Sequence, residues 1–267
     1  MSDFDSGIDV QILESTPNPE RLVCQAARGD YYNGYVGDTE YETLMDGVVH
    51  SDRHIESVRE IKTLTDSDAD EDVSPIEAKT YALLEKLFRR GHWGAFEHPN
   101  VTMAIKGASR SCMAQITRHR HASFDVQSQR YVDFSEKDNP VKTPKSLIDP
   151  EHMTREDGEL ELSEYTRDKY RYLFEDRVGK CIDAYEAMVA DGVPKEDARF
   201  VLPIGTVVNW SMTMNATALL HIANVRSKAN AQWEARELTS AVLDSFAEWM
   251  PHTAYLWDEH GPMPLTP

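Results

Sequence analysis

The string RHRHASFDVQSQRY, residues 118–131, places the hardest condition on how this chain can fold. It gathers three arginines and two histidines within thirteen residues, separated mostly by small polar side chains. The surrounding chain is acidic, with 46 Asp and Glu against 28 Lys and Arg and a formal net charge of −18. Such a cluster calls for an anionic partner. Two more arginines, Arg199 in ARFVLP and Arg226 in NVRSKANAQWE, stand in apolar helical contexts where a charge needs a partner. A planar guanidinium pairs bidentately with phosphate, so Arg118, Arg120, Arg130, Arg199 and Arg226 together point to a deep anion pocket rather than a basic surface stripe. Two blander readings stay open. RHRH is a solvated or acid-paired turn, or Arg199, beside Glu196 and Asp197, is an exposed helix charge.

The acid excess is spread through runs such as DSDADEDVSP, residues 66–75. It repels nucleic acid and acidic membranes, so neither is an expected partner. It also fits a high-salt cytoplasm, where salt screens self-repulsion and carboxylates keep the surface hydrated. No apolar stretch approaches the roughly 20 residues of a membrane span, and MSDFDSGIDVQILES has no secretory or transit character. The expectation is a soluble, cytoplasmic protein. Cys24, Cys112 and Cys181 are widely spaced without a CxxC pattern, and read as buried small hydrophobes rather than as a disulfide framework. His92, His98, His119 and His121 make only a weak zinc pattern, so no metal is expected. No Gly-rich phosphate loop competes with the arginines.

The chain reads as one catalytic domain over 1–267, with an acidic loop at 66–75 and a polar surface excursion at 136–158. TPNPE ends a short N-terminal strand or arm. SPIEAKTYALLEKLFRRGH starts a helix with a Ser cap and Pro at the first position, and Gly91 ends it. NVTMAIK alternates as a half-buried strand, and SRSCMAQITRHR is a short helix carrying the basic string at its end. A long charged helix runs from about 159 to 191, and PKEDARFVLP makes a helical turn. TVVNWSMTMNATALLHIANVR and NAQWEARELTSAVLDSFAEWM are expected as two further helices. Few strands among many helices predict an α+β fold, a small antiparallel or mixed sheet packed with several long helices.

Arg118-His119-Arg120, seven residues, then Ser128-Gln129-Arg130-Tyr131 resembles the signature of flavin-dependent thymidylate synthases. The likeness extends to His92 in HWGAFEH, Gln115, Arg199, Asn215, His221 and Arg226, and covers roughly residues 20 to 250. It implies an enzyme that converts dUMP to dTMP, with methylenetetrahydrofolate as one-carbon donor, FAD as cofactor and NADPH as reductant. It also implies a homotetramer whose active sites draw on several subunits. Every one of those ligands is anionic, which would give the arginines their purpose.

Residue by residue, the resemblance implies FAD contacts at Gly94, Arg118, His119, Arg120, Val126, Asn215 and His221. For dUMP it implies Gln115, Arg118, Val126, Gln127, Ser128, Gln129, Arg130, Arg199 and Arg226. Arg226 takes the catalytic part, holding the uracil so that charge left by loss of N3–H is stabilised and C5 becomes nucleophilic. His92 falls near the flavin, where folate stacks. No protein nucleophile is required, and Ser128 reads as a dUMP ligand. The chain departs from the common pattern at Asp30, Gly94, Asp125 and Val126, so a contact at 126 must run through backbone. Two other readings compete with it: a single-strand RNA-binding module using Phe124 and Tyr131, which the net charge opposes, and a flavoprotein reducing another substrate, which Ser128, Arg199 and Arg226 together oppose.

Overall fold

The computed structural model describes residues 7–65, 72–134, 140–149 and 162–261. Most of the predicted acidic loop (66–71) and much of the predicted excursion (135–139 and 150–161) lie outside the described residues. Its centre is a four-stranded, wholly antiparallel sheet in the order β1-β2-β4-β3, with β1 at Asp9–Ser15, β2 at Asn100–Ser109, β3 at Ala122–Val126 and β4 at Val207–Asn215. One row of side chains runs across it, Ile12 opposite Met103, Met103 opposite Met212, and Met212 opposite Phe124. Val101, Ile105, Val208, Trp210 and Met214 complete the buried face. On the other face Thr102 and Thr213 share a hydroxyl–hydroxyl bond of 2.9 Å.

β4 corrects one expectation. VVNWSMTMN is one of the two inner strands rather than the first half of a helix. Its residues alternate buried and half-buried or exposed from Val208 onward, a period of two that only a strand can present to one core face. The helix begins where the alternation stops, at α8 (Ala216–Arg226), and Asn215 serves as both last strand residue and cap, its Oδ1 accepting Ala218 N–H at 2.8 Å.

Ten helices surround the sheet among the described residues. α1 (Pro19–Gly29), α2 (Tyr41–Leu44) and α3 (Asp52–Thr65) precede α4 (Pro75–Arg89). The predicted start and stop of α4 hold: Ser74 and Glu77 form a capping box, and Gly91, at φ +69°, closes a Schellman turn in which His92 N–H reaches Leu87 O and Gly91 N–H reaches Phe88 O. α5 (Arg110–Ile116) follows β2, and the long charged α6 (Glu164–Ala190) starts at a Ser163 cap. α7 (Lys195–Ala198) leads into a 3₁₀ turn at Arg199–Val201. α9 (Trp233–Trp249) packs on β1 and on α8, and α10 (Pro251–His260) returns against α4.

Two buried carboxylates tie these layers together. Glu20 of α1 accepts Thr253 N–H (2.7 Å), Thr253 Oγ1–H (2.9 Å) and His252 Nδ1 (2.6 Å), capping the first turn of α10. Glu234 of α9 does the equivalent for Ser109 at the end of β2. A bulge at Gly107 interrupts β2 just before Ser109: φ is +82° there, and a Cβ would lie 1.7 Å from Gly7 O, so only glycine fits. The described part of the excursion is half-buried, with Val141 bridging Thr206 and Lys145 Nζ bound to Glu237 at 2.6 Å.

Candidate active site

α5 is seven residues long and ends in a turn that delivers Arg118 and His119, after which β3 carries the string back into the sheet. α8 runs beside that turn and ends on Arg226. Arg226 spends its fork on the turn: Nη1–H donates to Gln115 Oε1 (3.2 Å), Nη2–H to Gln115 O (2.7 Å), and Nε–H to His119 Nε2 (3.0 Å). A ring nitrogen that accepts from a guanidinium must be unprotonated, so His119 carries its proton at Nδ1. Burial, the Arg226 charge and His221 together push His119 down from 6.5 to about 4. The two imidazoles meet edge to face, 5.8 Å between ring centres.

Both imidazoles line a cleft of about 510 Å³, together with Trp93, Arg118, Arg120 and Asn215, among others. Arg118 and Arg120 are exposed, and no carboxylate pairs with either among the described residues. Trp93 contributes a buried indole N–H without a partner among the described residues, while its carbonyl accepts Thr217 Oγ1–H at 3.1 Å. The lining therefore offers donors and cations in excess of acceptors.

The remaining candidates fall elsewhere by their contacts. Arg130 pairs with Glu196 at 2.8 Å, and Arg199 Nε–H donates to the carbonyl of the same Glu196 at 3.0 Å. Ser128 Oγ accepts Arg130 N–H at 3.2 Å, and Gln127 exchanges bonds with Asn209 of β4, its N–H donating to Asn209 O at 2.8 Å. Gln129 is buried with its Nε2 unsatisfied, and Val126 closes β3 opposite Trp210. His92 and Gly94 line a second cleft of about 440 Å³ with Arg28, Asp30, Lys86, Arg90 and His98. The two clefts sit back to back on one 3₁₀ turn, Trp93–Glu97: Trp93 and Glu97 face the first, His92, Gly94 and Ala95 the second. A Cβ on Gly94 would meet nothing within 4 Å, so the second cleft is open at that point.

Trp93, Glu97 and Thr217 line the first cleft without having been singled out from the sequence. Trp93 lay inside HWGAFEH, but a single 3₁₀ turn has no periodicity to reveal which side chain faces which way. Cys24 and Cys112 are fully buried, burial raising the Cys24 thiol to about 12 and Cys112 upward as well, so neither is a thiolate at neutral pH. No group of three or more His, Cys, Asp or Glu is arranged to hold a metal among the described residues.

A cleft lined by Arg118, Arg120 and the His119 that Arg226 grips, with no carboxylate on either rim arginine among the described residues, has the chemistry of a binder of anionic ligands. The family model described as Thymidylate synthase complementing protein matches residues 11–252. A flavin-dependent thymidylate synthase of Halobacterium salinarum is 44% identical over 93% of this chain and 94% of its own, and that of Haloarcula marismortui 40% identical over 94% and 96%. This chain belongs to the flavin-dependent thymidylate synthase family. The crystal structure of a UMP/dUMP methylase, PolB from Streptomyces cacaoi, bound with 5-Br dUMP, shares the fold with a TM-score of 0.68 at 22% identity, over 94% of this chain and 95% of that one.

Proposed function

We propose that this chain converts dUMP to dTMP, using methylenetetrahydrofolate, NADPH and FAD, and that Arg226 is its catalytic cation. The observation that carries the reading is the grip on Arg226 by Gln115 and neutral His119 beside the unpaired Arg118 and Arg120. The chemistry of the lining fits FAD: a diphosphate needs guanidiniums that no protein acid has claimed, and Arg118 and Arg120 supply them, with Asn215 and His221 in the same lining. A bound FAD supplies hydride transfer from NADPH to the one-carbon unit.

The chain's own residues would bind and polarise. Arg226, fixed at all three of its nitrogens, presents a cation of set orientation to the pyrimidine, where negative charge grows as N3 gives up its proton and C5 becomes nucleophilic. Ser128, Gln129, Arg130 and Arg199 are read as the dUMP phosphate and sugar contacts, with Arg130 released from Glu196 to reach the substrate. Because that group and the His92 cleft are held on different elements from Arg226, we propose a cytoplasmic homotetramer in which neighbouring subunits complete each site. Exposed Tyr131, Phe200 and Ile204 beside the Arg130 and Arg199 group supply apolar surface for such an interface.

The test is FAD-dependent dTMP formation in high salt. Wild type should turn over, and Arg226→Ala should lose several orders of magnitude in kcat/KM while remaining folded and flavin-loaded. A flavin-loaded wild type that makes no dTMP would overturn the reading.

A further inference from the structure

We infer that Glu234, a residue outside both clefts, is a positioning residue for Arg226. α5 has only seven residues, well below the roughly 12–15 at which a helix persists unaided, so its placement depends on what holds its ends. Both ends are held by one connection. At the C-terminal end, Arg226 binds the side chain and the carbonyl of Gln115. At the N-terminal end, Ser109 caps α5 by accepting Cys112 N–H at 3.1 Å, and Glu234 accepts Ser109 N–H (2.6 Å) and the Ser109 hydroxyl proton. Arg226 closes α8 and Glu234 sits in the first turn of α9, so the α8–α9 connection grips α5 fore and aft.

Glu234 is 1% exposed, and a buried carboxylate persists only where donors surround it. Two of those donors belong to Ser109, and Lys142 Nζ stands 3.6 Å away, itself bound to Gly107 O at 2.7 Å. The carboxylate thereby draws the bulged end of β2, the cap of α5 and the segment around Lys142 onto one point. Without it, Ser109, which is 2% exposed, loses both acceptors, and the cap of α5 loses its anchor, leaving the helix start on the bonds from Arg110 N–H to Thr206 O (2.9 Å) and from Ser111 N–H to Ile204 O (3.1 Å). Gln115 would then no longer meet Arg226 squarely, and the guanidinium would lose its fixed aim.

The inference rests on the proposed role of Arg226, so its test carries that role as a control. Turnover at saturating dUMP and the rate of flavin reduction by NADPH are measured for wild type, Glu234→Gln, Glu234→Ala, Arg226→Ala and the Glu234→Ala/Arg226→Ala double variant. Expected are a fall in kcat of about tenfold or more in Glu234→Ala, partial rescue by Glu234→Gln, which keeps one acceptor oxygen, and unchanged flavin reduction in both. The loss should vanish in the Arg226→Ala background, because an effect exerted through Arg226 has nothing left to act on. If Glu234→Ala does not fold, Ser109→Ala, which removes the hydroxyl link to Glu234 together with the cap on Cys112 N–H and leaves the backbone bond to Glu234, is put through the same cycle with the same expectation. An equal loss in both backgrounds, or a parallel fall in flavin reduction, would make Glu234 a structural residue only and overturn the inference. An inactive wild type, or a fully active Arg226→Ala, would instead overturn the reading of the site.

Discussion

Arg226 shows how much a single side chain can depend on its neighbours' protonation. Its Nε–H donates to His119, which works only while that imidazole is neutral. The folded chain holds His119 near 4 whereas an unfolded chain holds it near 6.5. Between those values the unfolded state takes up a proton that the native state refuses, so stability falls as pH drops from about 6.5 toward about 4. His119→Asn should flatten that acid-side slope in thermal melts across the window, since asparagine does not titrate; an unaltered slope would place the titration elsewhere. His252 works in the opposite direction. Burial alone would lower it, but the Glu20 carboxylate outweighs burial and raises it, so what it contributes is present below its unfolded value and fades as pH rises through the folded one.

At the scale of elements, the caps and the stop at Gly91 are legible in the sequence, whereas the strands β3 and β4 are not. Ser74, Pro75 and Gly91 announced α4 because capping is local chemistry, settled within a few residues. Ser74→Ala removes the acceptor for Glu77 N–H and half of the capping box, and should cost ~1 kcal/mol. In a chain this size that corresponds to a fall of about 2–4 °C in Tm, checked by differential scanning calorimetry. β4 was misread because its alternating residues run without a turn into the helical residues of α8, and the joint, Asn215, belongs to both. α5 and its basic turn were legible, but the partners that hold them, at Gln115 to Arg226 and Ser109 to Glu234, lie over a hundred residues apart in sequence, where no local pattern reaches.

For the whole molecule, charge is the dominant variable. A formal net charge of −18 on 267 residues is self-repelling at low ionic strength and is screened within roughly 3 Å at 1 M salt. Tm should therefore rise between low salt and multimolar KCl, and sedimentation in KCl should give a tetramer that dissociates as salt is withdrawn. A Tm flat with salt would speak against the high-salt reading, and a monomer at all salt concentrations would speak against shared active sites. Among the described residues no helix is long and apolar enough to cross a membrane.

By itself the sequence determined the balance of charge, the capped helices, the strand β2 and the residue types that an anion site needs, because each is written in composition or in spacings of a few residues. It also carried the family resemblance, since the basic string and its distant companions keep their order along the chain. Only the tertiary structure decided which of those residues meet. It put Arg226 on Gln115 and His119, set Arg130 and Arg199 about Glu196, and turned His92 and Trp93 to opposite sides of one turn. The reason is that a long-range contact is fixed by the packing of whole elements on a shared core, and neither the types nor the spacings of two residues specify where their elements will come to rest.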